Sequence, residues 1–185
     1  MDDCLAVHRL KKGDMGGLEI LIARYQARAV RTAFLITHDQ SLAEDVVQET
    51  FIRIYHRIRF FDEMRPFEPY LLRSVVHTAL NVMEKTAHWT FLDEEIEPDA
   101  VANLLQRAAA TEDMVEFAQL KEEIYAALGK LSPRQRQVIV QRYYLEMSEK
   151  EMAEELSVAP GTVKWLLNGA RQRLRMLMGM EGNKQ

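Results

Sequence analysis

The chain has 185 residues, 28 acidic and 24 basic, for a formal net charge of −4, and 48% of its residues are hydrophobic. That apolar share suffices for a globular core, the slight acidity argues against a uniformly basic nucleic-acid coat, and the length allows one domain or two small ones. A single cysteine, Cys4, permits no internal disulfide and fits a reducing compartment.

Charge is distributed unevenly. Residues 1–87 carry 12 basic and 12 acidic side chains, residues 88–113 carry 1 and 7, and residues 114–185 carry 11 and 9. An acidic strip therefore separates two nearly balanced blocks. The N-terminus lacks a signal-peptide core and no apolar run is long enough to span a bilayer, so a cytoplasmic protein without membrane insertion is expected. Few alternating β-branched stretches and only eight glycines favour an all-α fold.

In the first block a short helix over Asp3–Leu10 leads to a break at Lys-Lys-Gly-Asp, with Asp14 as a cap. Helical spacing of Leu18, Leu21, Ile22, Tyr25, Ala29, Ala33 and Ile36 predicts the next helix. Thr-His-Asp-Gln makes a turn, and Ser41 with Glu44 reads as a capping box opening a helix from Leu42 to about Arg59. That helix has two faces. Val47, Phe51, Ile54 and Ile58 point one way; Asp45, Gln48, Glu49 and Ile52 point the other. An anionic face with an apolar residue inside it can dock a basic partner helix, although most charged helix faces are merely solvated.

A loop with two prolines follows, and Pro69 is expected to start a helix from Tyr70 to about Lys85. Leu71, Leu72, Val75, Ala79, Val82 and Met83 form its core stripe, with Arg73, His77, Asn81, Glu84 and Lys85 on the outer side. Phe60, Phe61, Phe67 and Tyr70 crowd the loop. They can stack on unpaired bases or anchor the loop to the core, the commoner use of such residues.

The acidic strip, broken by Pro98, reads as a linker over 88–113, with a weak helix at Asp99–Ala109 and Trp89 and Phe91 near its start. The second block opens with a helix over Glu112–Leu128, capped by Thr111. Ser132-Pro133-Arg134-Gln135 combines a cap, a first-turn proline and a capping-box Gln before a helix to about Leu145. Ser148 with Glu151 is a further capping box. It opens a short helix to Leu156, a turn at Ser-Val-Ala, and a second helix from Pro160. These are the dimensions of a helix-turn-helix.

On that last helix Val163, Leu166, Leu167, Ala170, Leu174 and Leu177 form the inward stripe. Lys164, Asn168, Arg171 and Arg175 lie on an opposite flank beside Trp165 and Gln172. No acid occurs from Leu156 to Met180, against four Lys or Arg. Cations and amides on one flank suit phosphates and base edges. The five histidines show no metal spacing, and no catalytic constellation or phosphate-binding glycine loop occurs. No enzyme, cofactor or metal is expected.

Both blocks carry a family likeness. Ala43–Phe51, AEDVVQETF, resembles the core-binding signature of bacterial RNA polymerase sigma factors of the extracytoplasmic-function type. Gly13-Asp14 upstream and Phe67-x-x-Tyr70-Leu71 downstream are similar to the same family. LSPRQRQVI from Leu131 and APGTVK from Ala159 resemble its C-terminal domain, in the right order along nearly the whole chain.

The resemblance implies a sigma factor that binds core RNA polymerase through its β′ and β subunits and directs it to promoter DNA. It also admits an anti-sigma factor as a partner. The N-terminal domain would span 1–87 and the C-terminal domain 114–185. Asp45, Gln48, Glu49 and Ile52 would dock on a basic β′ coiled coil. Arg73, His77, Asn81 and Lys85 would meet the −10 element. Thr162, Lys164, Trp165, Asn168, Arg171, Gln172 and Arg175 would meet the −35 element in the major groove.

Several positions depart from the family pattern. His77 stands where the family usually has Asn, Asn81 where it has Asp, and Glu84–Thr86 where it has a basic cluster. Trp165-Leu166 replaces a common Ser-Arg pair, and Gly169 a frequent Arg. Fewer cations imply fewer phosphate contacts and weaker promoter binding. The alternative is a stand-alone helix-turn-helix regulator, which would have no need of the AEDVVQETF face.

Overall fold

The computed structural model describes residues 3–86, with side chains as far as Met83, and residues 123–178. Within them the elements are helical throughout, and the chain divides into two compact units between Ala87 and His88. The expected linker, the helix at 99–109 and the Thr111 cap lie outside the described residues.

The first unit is built on a long central helix. α1 spans Asp3–Lys11, α2 Gly16–Thr37, α3 Gln40–Arg57 and α4 Phe67–Thr86, with a single 3-10 turn at Ile58–Phe60. Leu21, Ala29, Ala33 and Ile36 run buried along α2, which α1, α3 and α4 all pack against. At the α1–α2 corner Gly13 adopts φ +84, a conformation that costs glycine little. Asp14 then accepts the Gly16 N–H at 2.9 Å through Oδ1 and Arg9 Nε at 2.8 Å through Oδ2. Gly17 sits so close to α1 that an added Cβ would lie 2.3 Å from the Ala6 carbonyl oxygen. Asp3, at the far end of α1, is bonded by Arg24 and by the Tyr25 hydroxyl of α2. Burial, followed by that bond to Asp3, pushes the Tyr25 hydroxyl up to about 12, so it stays a neutral donor.

Two helix starts differ from the sequence expectation. α3 is capped by Asp39, not by a Ser41–Glu44 box. His38 ends α2 in the left-handed region (φ 55), which leaves Asp39 extended with its Oδ1 accepting the Leu42 N–H at 2.9 Å. Ser41 consequently falls inside the first turn, and Glu44 accepts from Gln40 Nε2 at 2.6 Å instead. α4 begins at Phe67, before Pro69. Proline is tolerated throughout a first turn, because N–H groups there have no intrahelical acceptor. Phe67 is thereby drawn into the core at 1% exposed.

In the second unit residues 123–129 are helical (α5), α6 spans Pro133–Ile139, α7 Glu149–Leu156 and α8 Pro160–Leu177. The Ser132–Gln135 and Ser148–Glu151 capping boxes are both complete. The helix expected to run on to Leu145 widens instead into a π turn over Val140–Tyr144, where the Leu145 N–H reaches back to the Val140 carbonyl at 3.0 Å. Gln141, fully buried in that turn, donates to Glu155 Oε1 at 3.0 Å and so ties the turn to α7. Val163, Leu167, Ala170 and Leu174 of α8 are buried, with Leu166 and Leu177 half-buried at the edges of the stripe. Each full burial of a Val or Leu contributes about 1.5–3 kcal/mol, which fixes the helix's rotation.

Candidate polymerase and nucleic-acid interfaces

α3 separates its faces sharply. Val46, Val47, Thr50, Phe51 and Ile54 are buried; Asp45 and Gln48 are exposed, and Glu49 holds Arg53 one turn along. Ile52 is 58% exposed among them, a large aliphatic side chain set between carboxylates. Tyr55, 39% exposed, extends this face with its ring 5.3 Å from that of His56. The sequence reading missed Tyr55, although its i+3 spacing from Ile52 was the available signal.

On α4, Arg73 and His77 are exposed and Asn81 is half-buried, one above another along the helix. Lys85 belongs to the helix, but its side chain lies outside those described. The aromatic residues before α4 divide in two. Phe61, Phe67 and Tyr70 pack together, with ring centroids 4.7 Å apart for Phe61–Tyr70 and 5.9 Å for Phe61–Phe67. Phe60 projects outward at 75% exposed with the Arg59 guanidinium over its ring, and Met64 is 89% exposed. Of the four aromatics, then, three anchor the loop and one is free to meet a ligand.

α8 is likewise uneven along its length. Thr162, Lys164 and Trp165 are exposed, Trp165 at 48%, and Asn168 is half-buried. Further along, Arg171 turns inward: its Nε donates to Tyr143 Oη at 2.7 Å and its Nη1 to Asn168 Oδ1 at 3.3 Å. Gln172 is buried, with its Oε1 unpartnered, and is no part of the accessible face. That corrects its placement beside Trp165. The helical wheel puts it on the polar arc, but packing covers this position. Arg175 is half-buried with Nε shielded from water. Arg173, which the sequence reading left out, is exposed. Thr162, Lys164 and Trp165, exposed in the N-terminal half, lie in the part of such a helix that reaches base edges, and Arg173 is an exposed cation of the C-terminal half.

Residues 21–88 match the family Sigma-70 region 2, and residues 121–174 match Sigma-70, region 4. The chain is 29% identical over 173 residues to the ECF RNA polymerase sigma factor SigW of Bacillus subtilis, covering 91% of this chain and 92% of that protein. It is 27% identical to the ECF RNA polymerase sigma-E factor of Haemophilus influenzae, over 94% of each. The chain belongs to the sigma factors of the extracytoplasmic-function type. The fold agrees: CnrH, solved with the cytosolic domain of CnrY, superposes with a TM-score of 0.60 at 22% identity, over 97% of this chain and 99% of that one. The sigma factor RpoE of Bartonella quintana, solved with the anti-sigma factor NepR, gives 0.59 at 19% identity over 89% and 98%.

As a sigma factor the protein binds core RNA polymerase and directs promoter-specific initiation. Among the described residues no helix is long and apolar enough to cross a membrane, and no cluster of His, Cys, Asp and Glu is arranged to hold a metal ion.

Proposed function

We propose that this sigma factor docks on core polymerase through the α3 face, with Asp45, Gln48, Glu49 and Ile52 against a basic coiled coil of the β′ subunit and further contacts to β. The observation that carries this reading is Ile52, 58% exposed inside an anionic patch on a helix whose opposite stripe is buried. Carboxylates steer and orient a basic helix, and the aliphatic side chain, covered on docking, supplies affinity. Residues 1–87 form the domain that binds core and the −10 element, 88–113 the linker, and 114–185 the domain that binds the −35 element.

In this reading Arg73, His77, Asn81 and Lys85 line the −10 duplex, while Phe60 and Met64 meet bases as the strands part. Thr162, Trp165 and Asn168 read the −35 element and Lys164 holds its phosphates, with Arg171 and Arg175 behind them. The protein acts in the cytoplasm without a cofactor and performs no chemistry of its own. An anti-sigma factor, the kind of partner named for RpoE of Bartonella quintana, would silence it by covering these surfaces.

Reversing charge at Asp45→Lys and Glu49→Lys tests the docking face. Affinity for core polymerase should fall about 10-fold or more, while thermal unfolding stays near wild type because both side chains reach solvent. Co-purification with core at wild-type yield would reduce the face to a solvated one.

A further inference from the structure

The loop that carries Phe60 and Met64 is fastened at two points. Phe61 turns into the core against Tyr70 and Phe67. Glu63 turns to α1, where its Oε1 takes Lys11 Nζ at 3.0 Å and its Oε2 meets His8 Nδ1 at 3.3 Å, across 55 residues of sequence. Between these anchors Asp62 Oδ1 accepts the Met64 N–H at 3.0 Å, and the Asp62 carbonyl accepts the Arg65 N–H at 3.0 Å, closing a tight turn. The Lys11 and Glu63 side chains are only 21% and 28% exposed, so water screens their attraction less than at an open surface. Lys11 first, then His8, hold the Glu63 carboxyl below the usual carboxylate range. α1 is itself rigidly seated, with Val7 and Leu10 buried and its side packed on the 3-10 turn that ends in Phe60.

We propose that Lys11 and His8, by clamping Glu63, act as positioning residues that hold the 60–64 loop in the form that presents Phe60 and Met64 to unpaired promoter bases. This rests on the reading of that loop given above. Holding a loop in its bound form beforehand removes ordering entropy that strand opening would otherwise have to supply. α1 thus serves promoter opening without touching DNA. Exposed ion pairs rarely matter for stability; this one matters for the geometry of the two apolar side chains it leaves outside.

The test uses holoenzyme assembled from the full-length protein and core polymerase on a promoter it recognises. Two quantities are read: the rate of open-complex formation, from permanganate reactivity of thymines in the −10 region, and affinity for core. Glu63→Gln and Lys11→Glu should each slow opening about 2- to 5-fold, the span of one weak to moderate ion pair, with core affinity unchanged. The exchanged pair, Lys11→Glu with Glu63→Lys, should recover at least half of the lost rate. Wild-type opening by Glu63→Gln, a parallel loss of core affinity, or no recovery on exchange would each overturn the clamp. Phe60→Ala in parallel separates the two ideas. If it opens promoters normally, the loop reading fails and takes the clamp with it; if it is slow while Glu63→Gln is not, only the clamp fails.

Discussion

Arg171 Nε donates to the Tyr143 hydroxyl at 2.7 Å, with the guanidinium carbon 5.6 Å from the centre of the tyrosine ring, and this joins the middle of α8 to the π turn after α6. A cation that the sequence offers to DNA is therefore already engaged by its own domain. Tyr143→Phe keeps the ring and removes the oxygen. It should lower stability by about 0.5–1.5 kcal/mol, the net worth of one such bond, measured by urea unfolding of the full chain. An unchanged midpoint would mean that water replaces the bond at no cost.

The α1–α2 corner leaves no room for a side chain at Gly17. Its Cβ would meet the Ala6 carbonyl oxygen at 2.3 Å and the Leu10 nitrogen at 2.8 Å, both of them backbone atoms that cannot swing away. Gly17→Ala should cost about 1–3 kcal/mol, as overpacking does in a filled interior. Gly169→Ala is the control. Nothing lies within 4 Å of its added Cβ, so relief of helix-interior glycine should stabilise α8 by up to about 1 kcal/mol. Thermal unfolding of the two variants should move in opposite directions.

Asp14 gives that corner a dependence on pH. Its carboxyl is lowered chiefly by the bond from Arg9, then by the Gly16 N–H. A carboxylate depressed in the folded state binds fewer protons there than in the unfolded chain, so its stabilisation is present above the ordinary carboxylate range. That stabilisation is lost as pH falls through the lowered value. The gap in melting temperature between wild type and Asp14→Asn should be full at about pH 7 and shrink on acidification below the ordinary carboxylate range. A gap that is constant with pH would mean that the ionised form contributes nothing.

What the sequence disclosed was what short range determines. The 3.6-residue period set the buried stripes of α3 and α8 correctly, and the Ser132–Gln135 and Ser148–Glu151 boxes are local by construction. The α3 start failed because Asp39 and Ser41 are both good caps two residues apart. The choice was made by how α2 ends at His38. Gln172 failed for a different reason. A helical wheel assumes that one face stays exposed along the whole helix, but packing buries Gln172 while Arg171 and Arg175 near it stay half-buried. The Glu63 contacts to α1 link distant segments through pairs with no periodic or motif signature, so only the folded chain displays them.

The same unevenness along α8 decides how its polar residues should divide their work. Lys164 is exposed near the N-terminus of the helix, with no internal partner among the contacts described. Asn168 is half-buried, its Oδ1 accepting from Arg171, which leaves the amide NH2 to donate to a base acceptor. Arg171 is held by Tyr143 and Asn168. Asn168→Ala should therefore relax promoter choice in holoenzyme, at a cost of about 1–3 kcal/mol against the correct base. Lys164→Ala should weaken all promoters alike and flatten the plot of log affinity against log salt by about one unit. Arg171→Ala should chiefly lower stability and change that slope less than Lys164→Ala does, because its guanidinium is committed internally. Competition binding on a small promoter library at several salt concentrations separates the three. Uniform loss across promoters for Asn168→Ala, with Arg171→Ala giving the larger change in slope, would mean that the C-terminal half of α8 faces the DNA instead.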